Sequence, residues 1–296
     1  MWQKIKDDIE SGNIKALARC ISLIENEVGG YNEFLKLLSP RSTPIIGITG
    51  PPGAGKSTLT DALIESHVNE GKKVAVICVD PSSAFNLGAL LGDRIRMSAW
   101  YNHPAVFIRS LASRGSMGGL HPKIIEITDT IKAVGFDIII VETVGVGQSE
   151  IEIAGLADTT VVVLVPEAGD EIQTMKSGLM EIADIFVVNK ADRPGADSFV
   201  KNLRQMLAPA FHNHEQEIAV IKTVASKKEG ITLLKEKIKS HASAQNNQRK
   251  NWLLTEKAYH LIKNKRMKNV SKEDLKNEIE KAGDGFNVYR FIQKYE

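Results

Sequence analysis

The chain has 296 residues, 43% of them apolar and 25% charged, with a net charge of +2, the composition of an ordinary globular protein with ample material for a core. The near-neutral charge argues against a polyanionic partner, so neither nucleic acid nor a membrane surface is expected. Only Cys20 and Cys78 can form a disulfide, no apolar run approaches about 20 residues, and the opening MWQKIKDDIESGN has no apolar signal core, so a cytoplasmic, reducing location is expected.

Residues 1–43 read as helical, with Ile14, Leu17, Ala18, Ile21 and Ile24 recurring at three- and four-residue steps on one face. Ser39 to Pro44 is a turn signal. From 44 to 240, strand-like runs alternate with helix-like stretches. The strand candidates are 44–49, 74–79, 106–110, 137–142, 160–165, 185–189 and 219–224. Most are continuously apolar, as parallel strands covered on both faces must be. The pattern predicts an α/β fold, a doubly wound, mostly parallel sheet with ligands at the carboxyl ends of its strands. Residues 241–296 begin polar and turn helical, with apolar positions at 252, 253, 259, 261 and 262 and again at 279, 286, 289, 291 and 292. They predict a C-terminal helical arm.

The first strand runs into GPPGAGKST: Gly50, Pro51, Pro52, Gly53, Ala54, Gly55, Lys56, Ser57 and Thr58. This is a full phosphate-binding loop between a strand and a helix. Its backbone N–H groups and the helix N-terminus favour phosphate oxygens. Lys56 is expected on the β- and γ-phosphates and Ser57 on Mg²⁺. Asp80 ends the second strand and Glu142 ends the fourth, where a carboxylate can hold Mg²⁺ directly or through water; a helix cap is the competing role for each. Asp93 suits either metal binding or capping. Gly145, three residues beyond Glu142, is placed to give its N–H to the γ-phosphate. Lys56, Glu142 and Gly145 are the catalytic candidates.

Asn189-Lys190-Ala191-Asp192 follows the sixth strand as N-K-x-D. The Asp192 carboxylate can accept from guanine N1–H and its exocyclic amine, a donor pair adenine lacks, so a wrong base leaves the charge unpaired. Lys190 can lay its stem along the base and Asn189 can brace the loop. Backbone N–H groups at Ala225 and Ser226, after the last strand, can reach guanine O6. The expected ligands are GTP or GDP with Mg²⁺.

In this order, GPPGAGKST, VDPSSA, GDRIRM, SRGSMGGL, ETVGVGQSE, PEAGDEIQTMKSG and NKAD resemble the MeaB/ArgK family of P-loop GTPases, relatives of the human methylmalonic aciduria type A protein. The resemblance runs from about residue 10 to 240. It implies a G-protein chaperone gating cofactor loading and protection of an adenosylcobalamin-dependent acyl-CoA mutase, typically methylmalonyl-CoA mutase. It implies a homodimer built partly through the C-terminal arm. It makes Ser57 and Asp93 the Mg²⁺ ligands, supported by Asp80 and Glu142. Loop 142–150 becomes the γ-phosphate switch, and 169–176, with Gln173 and Lys176, a second switch facing the mutase.

The family has also been described as a transport-system kinase or ATPase for lysine, arginine and ornithine, against which N-K-A-D argues. Pro51 stands where some dimer-activated relatives carry a second lysine, and only Gln148 is a candidate to orient water. Slow intrinsic hydrolysis, stimulated by a partner, is therefore expected. Arg94, Arg96, Arg109 and Arg114 are arginines able to reach phosphate, or surface residues. A nickel-metallochaperone GTPase is the rival reading, but the seven histidines are scattered, with only His212 and His214 close in sequence. Residues 257–272 are basic; a solvated arm helix or a polyanion site would explain them.

Overall fold

A computed structural model describes residues 1–39, 41–80, 97–113, 120–143, 152–168, 182–207, 218–244, 247–267, 269–282 and 286–295. The chain divides into two compact units, Met1–Leu253 and Leu254–Glu296.

The first unit is organised by seven strands, all at the expected places: β1 (Ile45–Thr49), β2 (Val74–Asp80), β3 (Val106–Ala112), β4 (Ile138–Glu142), β5 (Thr159–Leu164), β6 (Ile185–Val188) and β7 (Ala219–Lys222). They form one sheet in the order β3-β2-β4-β1-β5-β6-β7, and every neighbouring pair is parallel. A sheet that starts at its centre and grows to both sides is doubly wound, and parallel neighbours require the helical crossovers read from the sequence.

Alternation along each strand divides the core. On one face Ile45, Ala75, Ile77, Phe107, Ile139 and Val141 pack with helices α1 (Trp2–Glu10), α2 (Ile14–Glu25), α3 (Tyr31–Lys36) and α5 (Ile124–Val134). Helix α6 (Ala196–Leu207) covers Val162, Leu164, Phe186 and Val188. On the other face Ile46, Ile48, Val76, Cys78, Ile140 and Val163 pack with α4 (Lys56–Val68) and α7 (Ile231–Ala244). Burial on both faces is why these strands read as unbroken apolar runs.

The N-terminal segment is helical as expected, capped at α2 by the Asn13 side chain, which accepts from Ala16 N at 3.0 Å. Its apolar stripe differs in detail. Leu17, Cys20, Ile21 and Ile24 are fully buried, whereas Ile14 is 37% exposed and Ala18 only partly buried. The buried row runs i, i+3/i+4, i+7 from Leu17, and Cys20 takes a place the larger apolar residues had been given. Arg109 of β3 donates to Glu25 and Ser22 of α2, so this arginine ties the N-terminal helices to the edge strand.

The expected boundary at 240 falls inside α7, and the first compact unit continues to Leu253. The second unit holds the end of α8 (Asn247–Arg266), α9 (Lys272–Ala282) and α10 (Val288–Ile292). Phe291 is buried there, with Phe286 and Tyr295 rings 5.3 and 5.7 Å away. Most of the remaining apolar positions stay uncovered: Tyr259, Ile262, Ile279, Tyr289 and Ile292 are 39–76% exposed. Among the described residues no helix is long and apolar enough to cross a membrane.

Candidate functional site

Because all seven strands are parallel, β1, β2, β4, β6 and β7 deliver their following residues to one edge of the sheet. The loop after β1 needs glycine for steric reasons. Gly50 has φ +133°, and a Cβ there would lie 2.1 Å from the Val163 carbonyl oxygen. Gly55 has φ +88°, and its Cβ would meet the Asn189 amide nitrogen at 2.4 Å. No side chain fits either place. Helix α4 begins at Lys56, so its first-turn N–H groups face the loop. The Lys56 ammonium, almost fully buried, donates to the Gly50 and Pro51 carbonyls at 2.8 and 3.1 Å.

Three acidic or hydroxyl groups named from sequence are buried here. Ser57, Asp80 and Glu142 are 5%, 2% and 3% exposed. Glu142 lies in register with Ile48 of β1 and Cys78 of β2. Its two carboxylate oxygens are both engaged: Ser57 Oγ donates to Oε1 at 2.6 Å and Thr60 Oγ1 to Oε2 at 2.8 Å. The Ser57 proton points at the carboxylate, so toward any other partner its oxygen acts as an acceptor. Thr143 Oγ1 donates to Thr49 Oγ1 at 2.9 Å, and Thr143 N to the Ile48 carbonyl, stitching the ends of β4 and β1. A hydroxyl and two carboxylates are hard oxygen donors, the chemistry Mg²⁺ takes. Among the described residues no three His, Cys, Asp or Glu side chains gather closely enough to cage a metal by themselves. Asp93, Gly145 and Gln148, the rest of loop 142–150 beyond Thr143, the 169–176 segment with Gln173 and Lys176, and Arg94, Arg96 and Arg114 lie outside the described residues.

Across β5, Asn189 joins three loops. Its amide nitrogen donates to the Ala54 carbonyl at 2.9 Å, and its amide oxygen accepts from Thr223 Oγ1 and Ala225 N, both at 3.1 Å. Lys190 sits at φ +55° and donates to the Gly53 carbonyl at 2.7 Å. A left-handed non-glycine residue is strained, and here the surrounding bonds hold it. Asp192 is paired with Lys227 at 3.1 Å, both partly exposed. The Lys227 hydrogen bond holds the Asp192 carboxyl below its ordinary range, and Asp192 in turn raises Lys227. A cavity of about 350 Å³ opens among Thr58, Asn189, Lys190, Asp192, Ala225 and Ser226. Its volume lies in the range of small-molecule sites.

Thr60, Thr49 and Thr143, and the Lys227 side chain on Asp192, have no role at this edge that the sequence alone suggests. The signal for Thr60 was its spacing, three residues after Ser57 on a helix and hence on the same side.

A centre-out parallel sheet, a phosphate loop after its central strand and an N-K-x-D carboxylate at the other end of the same edge define a P-loop GTPase. Residues 17–283 match the model of the methylmalonyl Co-A mutase-associated GTPase MeaB. A Pyrococcus abyssi protein named as a GTPase is 48% identical over 246 residues, 81% of this chain and 76% of that one. The fused isobutyryl-CoA mutase of Geobacillus kaustophilus is 37% identical over 241 residues, which are 75% of this chain and 22% of that protein. Among solved structures, one titled as an LAO/AO transport system kinase superposes with a TM-score of 0.70 at 26% identity, covering 99% of this chain and 96% of its own. The chain belongs to the MeaB family of GTPases.

Proposed function

We propose that this GTPase is a nucleotide-dependent switch serving an adenosylcobalamin-dependent acyl-CoA mutase, with methylmalonyl-CoA mutase the first candidate. The supporting observation is the mutase-fused relative: a homologous stretch of 241 residues occupies 22% of a protein named as a fused isobutyryl-CoA mutase, and the family itself is described by association with a mutase. A domain that is covalently joined to its client in one protein is a natural partner of such a client in another.

In this reading the amides of residues 50–57 and Lys56 neutralise the phosphates. Lys56 leaves the loop carbonyls it now holds for the β- and γ-oxygens. Ser57 would offer its hydroxyl oxygen to Mg²⁺, with Asp80, Asp93 and Glu142 supporting the ion and its waters. When bound, the ion neutralises charge that develops on the transferred phosphoryl group. Gly145 meets the γ-phosphate, and loops 142–150 and 169–176 carry the difference between GTP and GDP to the mutase. Asp192 reads guanine, Lys190 covers it, and Ala225 and Ser226 approach O6. Hydrolysis is slow alone and faster with the partner, and the uncovered apolar positions of the second unit pack against a second copy.

The test is the GTP hydrolysis rate of the purified protein, alone and with the acyl-CoA mutases of its source organism. A slow rate rising severalfold with one of them supports the proposal. Indifference to every such mutase overturns it and leaves a GTPase with a different client.

A further inference from the structure

The opposite edge of the sheet carries a feature the nucleotide chemistry does not use. At the amino ends of β1, β4 and β5 a cavity of about 460 Å³ lies between the sheet, the end of α4 and helix α7. Its floor is apolar: Ile46, Ile138 and Ile238 are at most 8% exposed. His67, in the last turn of α4, lines it. This ring is 5% exposed, and neither of its nitrogens has a hydrogen-bond partner.

A buried imidazole with both nitrogens unsatisfied loses its hydration for nothing, and such groups are rare. Burial, with Lys235 nearby, pushes the ring down to about 4. It is therefore neutral near pH 7, with one N–H to give and one lone pair to receive.

The charged groups around the mouth fall into two sets. Lys235 is committed to Ser66 and Glu70 of α4, and Asp137 accepts from Lys73 N at 2.8 Å. Lys72 and Lys239 also line the cavity and make no side-chain hydrogen bond or ion pair among the described residues, and Glu236 is the one carboxylate there without a partner. The uncommitted groups are thus two ammonium ions and one carboxylate, with a neutral N–H below them and an isoleucine floor beneath.

We propose that this cavity is a second ligand site, for a small organic carboxylate with a flat or compact apolar body. The body covers Ile46, Ile138 and Ile238, while the acid head accepts from His67 and lies between Lys72 and Lys239. A neutral isostere keeps the apolar contact and loses the charge-assisted bonds, which are about twice as strong as neutral ones.

The probe is 2-naphthoate, with 2-naphthamide as its uncharged isostere, titrated against the full-length protein labelled at histidine ring carbons. His67 is assigned by its absence in His67→Phe. Saturable binding with a Kd of about 0.1–1 mM, a shift of the His67 signal, and at least about tenfold weaker binding of the amide are expected. Lys72→Met with Lys239→Met should weaken naphthoate about tenfold or more. Both lysines are exposed, so this variant should keep the parent's unfolding midpoint and its affinity for a fluorescent GDP. The proposal is overturned by no saturable binding up to about 10 mM, by equal binding of acid and amide, by unchanged affinity in the double lysine variant, or by shifts at other histidines without one at His67. None of these readouts depends on the mutase or on hydrolysis.

Discussion

Replacing Thr60 with valine isolates one hydrogen bond at the proposed metal edge. Thr60 is fully buried and its hydroxyl donates to Glu142 Oε2 at 2.8 Å. Valine has nearly the same shape, so the change opens no cavity; what is lost is a bond to a charged acceptor, about 1.5–3 kcal/mol. A loss near 2 kcal/mol in a unit of this size lowers its unfolding temperature by about 4–8 °C. The second expectation concerns metal. With Thr60 silent, Glu142 loses one of the hydroxyls that hold it, and the group that directs the Ser57 proton inward is less firmly placed. Outer groups that orient a metal ligand change affinity about 10- to 100-fold when removed. The Mg²⁺ concentration giving half-maximal tightening of fluorescent GDP should therefore rise about tenfold, while GDP affinity in chelator stays as in the parent. Thr60→Ser restores the hydroxyl and with it the Mg²⁺ dependence. It should still lose about 1 kcal/mol for the missing methyl. A Thr60→Val protein that melts with the parent and keeps its Mg²⁺ dependence would refute the reasoning. If Ser57→Ala also leaves Mg²⁺ dependence unchanged, the metal assignment falls with it.

Four further outcomes are expected. Lys56→Ala should abolish tight GTP binding in a fluorescent-nucleotide titration, and unchanged affinity would remove Lys56 from the phosphates. Asp192→Asn should turn preference from GTP toward xanthosine triphosphate, because an amide can donate to the 2-carbonyl oxygen; retained GTP selectivity in competition assays would exclude Asp192 as the base reader. Asn189→Ala breaks three buried hydrogen bonds joining three loops, and at about 1 kcal/mol each should cost about 3 kcal/mol in denaturant unfolding and weaken GTP by at least tenfold. His67, held at about 4 by burial, takes up a proton in the unfolded chain from about pH 6.5 downward. The folded state resists this until about 4, so stability should fall by about 3 kcal/mol as pH drops through that window; His67→Phe should flatten this part of a urea-unfolding series.

The sequence was most legible where one residue type answers one physical demand. Gly50 has backbone against it and Gly55 a side-chain amide, so the phosphate loop could be written with few other residues. The strands were readable because burial on both faces leaves no polar alternation to confuse with loops. Asn189 was expected to brace its loop, and it does so across three. Thr60 was invisible for the opposite reason: a threonine on a helix is chemically ordinary until Glu142, 82 residues away, arrives beside it. Arg109 shows the same limit. From sequence it could reach phosphate or lie at the surface, whereas its position in β3 aims it at Glu25 of α2, 84 residues earlier. The apolar residues of the second unit satisfied a helical pattern, yet pattern alone does not say whether the covering partner belongs to the same chain. A boundary at 240 follows a polar stretch, whereas α7 passes through it to Ala244, and His241 beyond the boundary reaches Thr159 and Asp184.

The strand order has one more consequence. Carboxylates stand on β2 and β4, the phosphate loop follows β1, and the residues proposed to read the base follow β6 and β7, so on that proposal the sheet is graduated in the same sequence as the parts of a nucleoside triphosphate. From β4 to β6 there are three strand intervals, about 14 Å at the usual spacing of about 4.8 Å. A sheet held together by its hydrogen bonds cannot shorten that span, so it acts as a fixed gauge against which the ligand is measured. In the proposed reading guanine and its ribose register at one end whether two phosphates follow or three. In the same reading the γ-phosphate lies toward the β4 end, so the difference between GTP and GDP arises there and passes into loops 142–150 and 169–176.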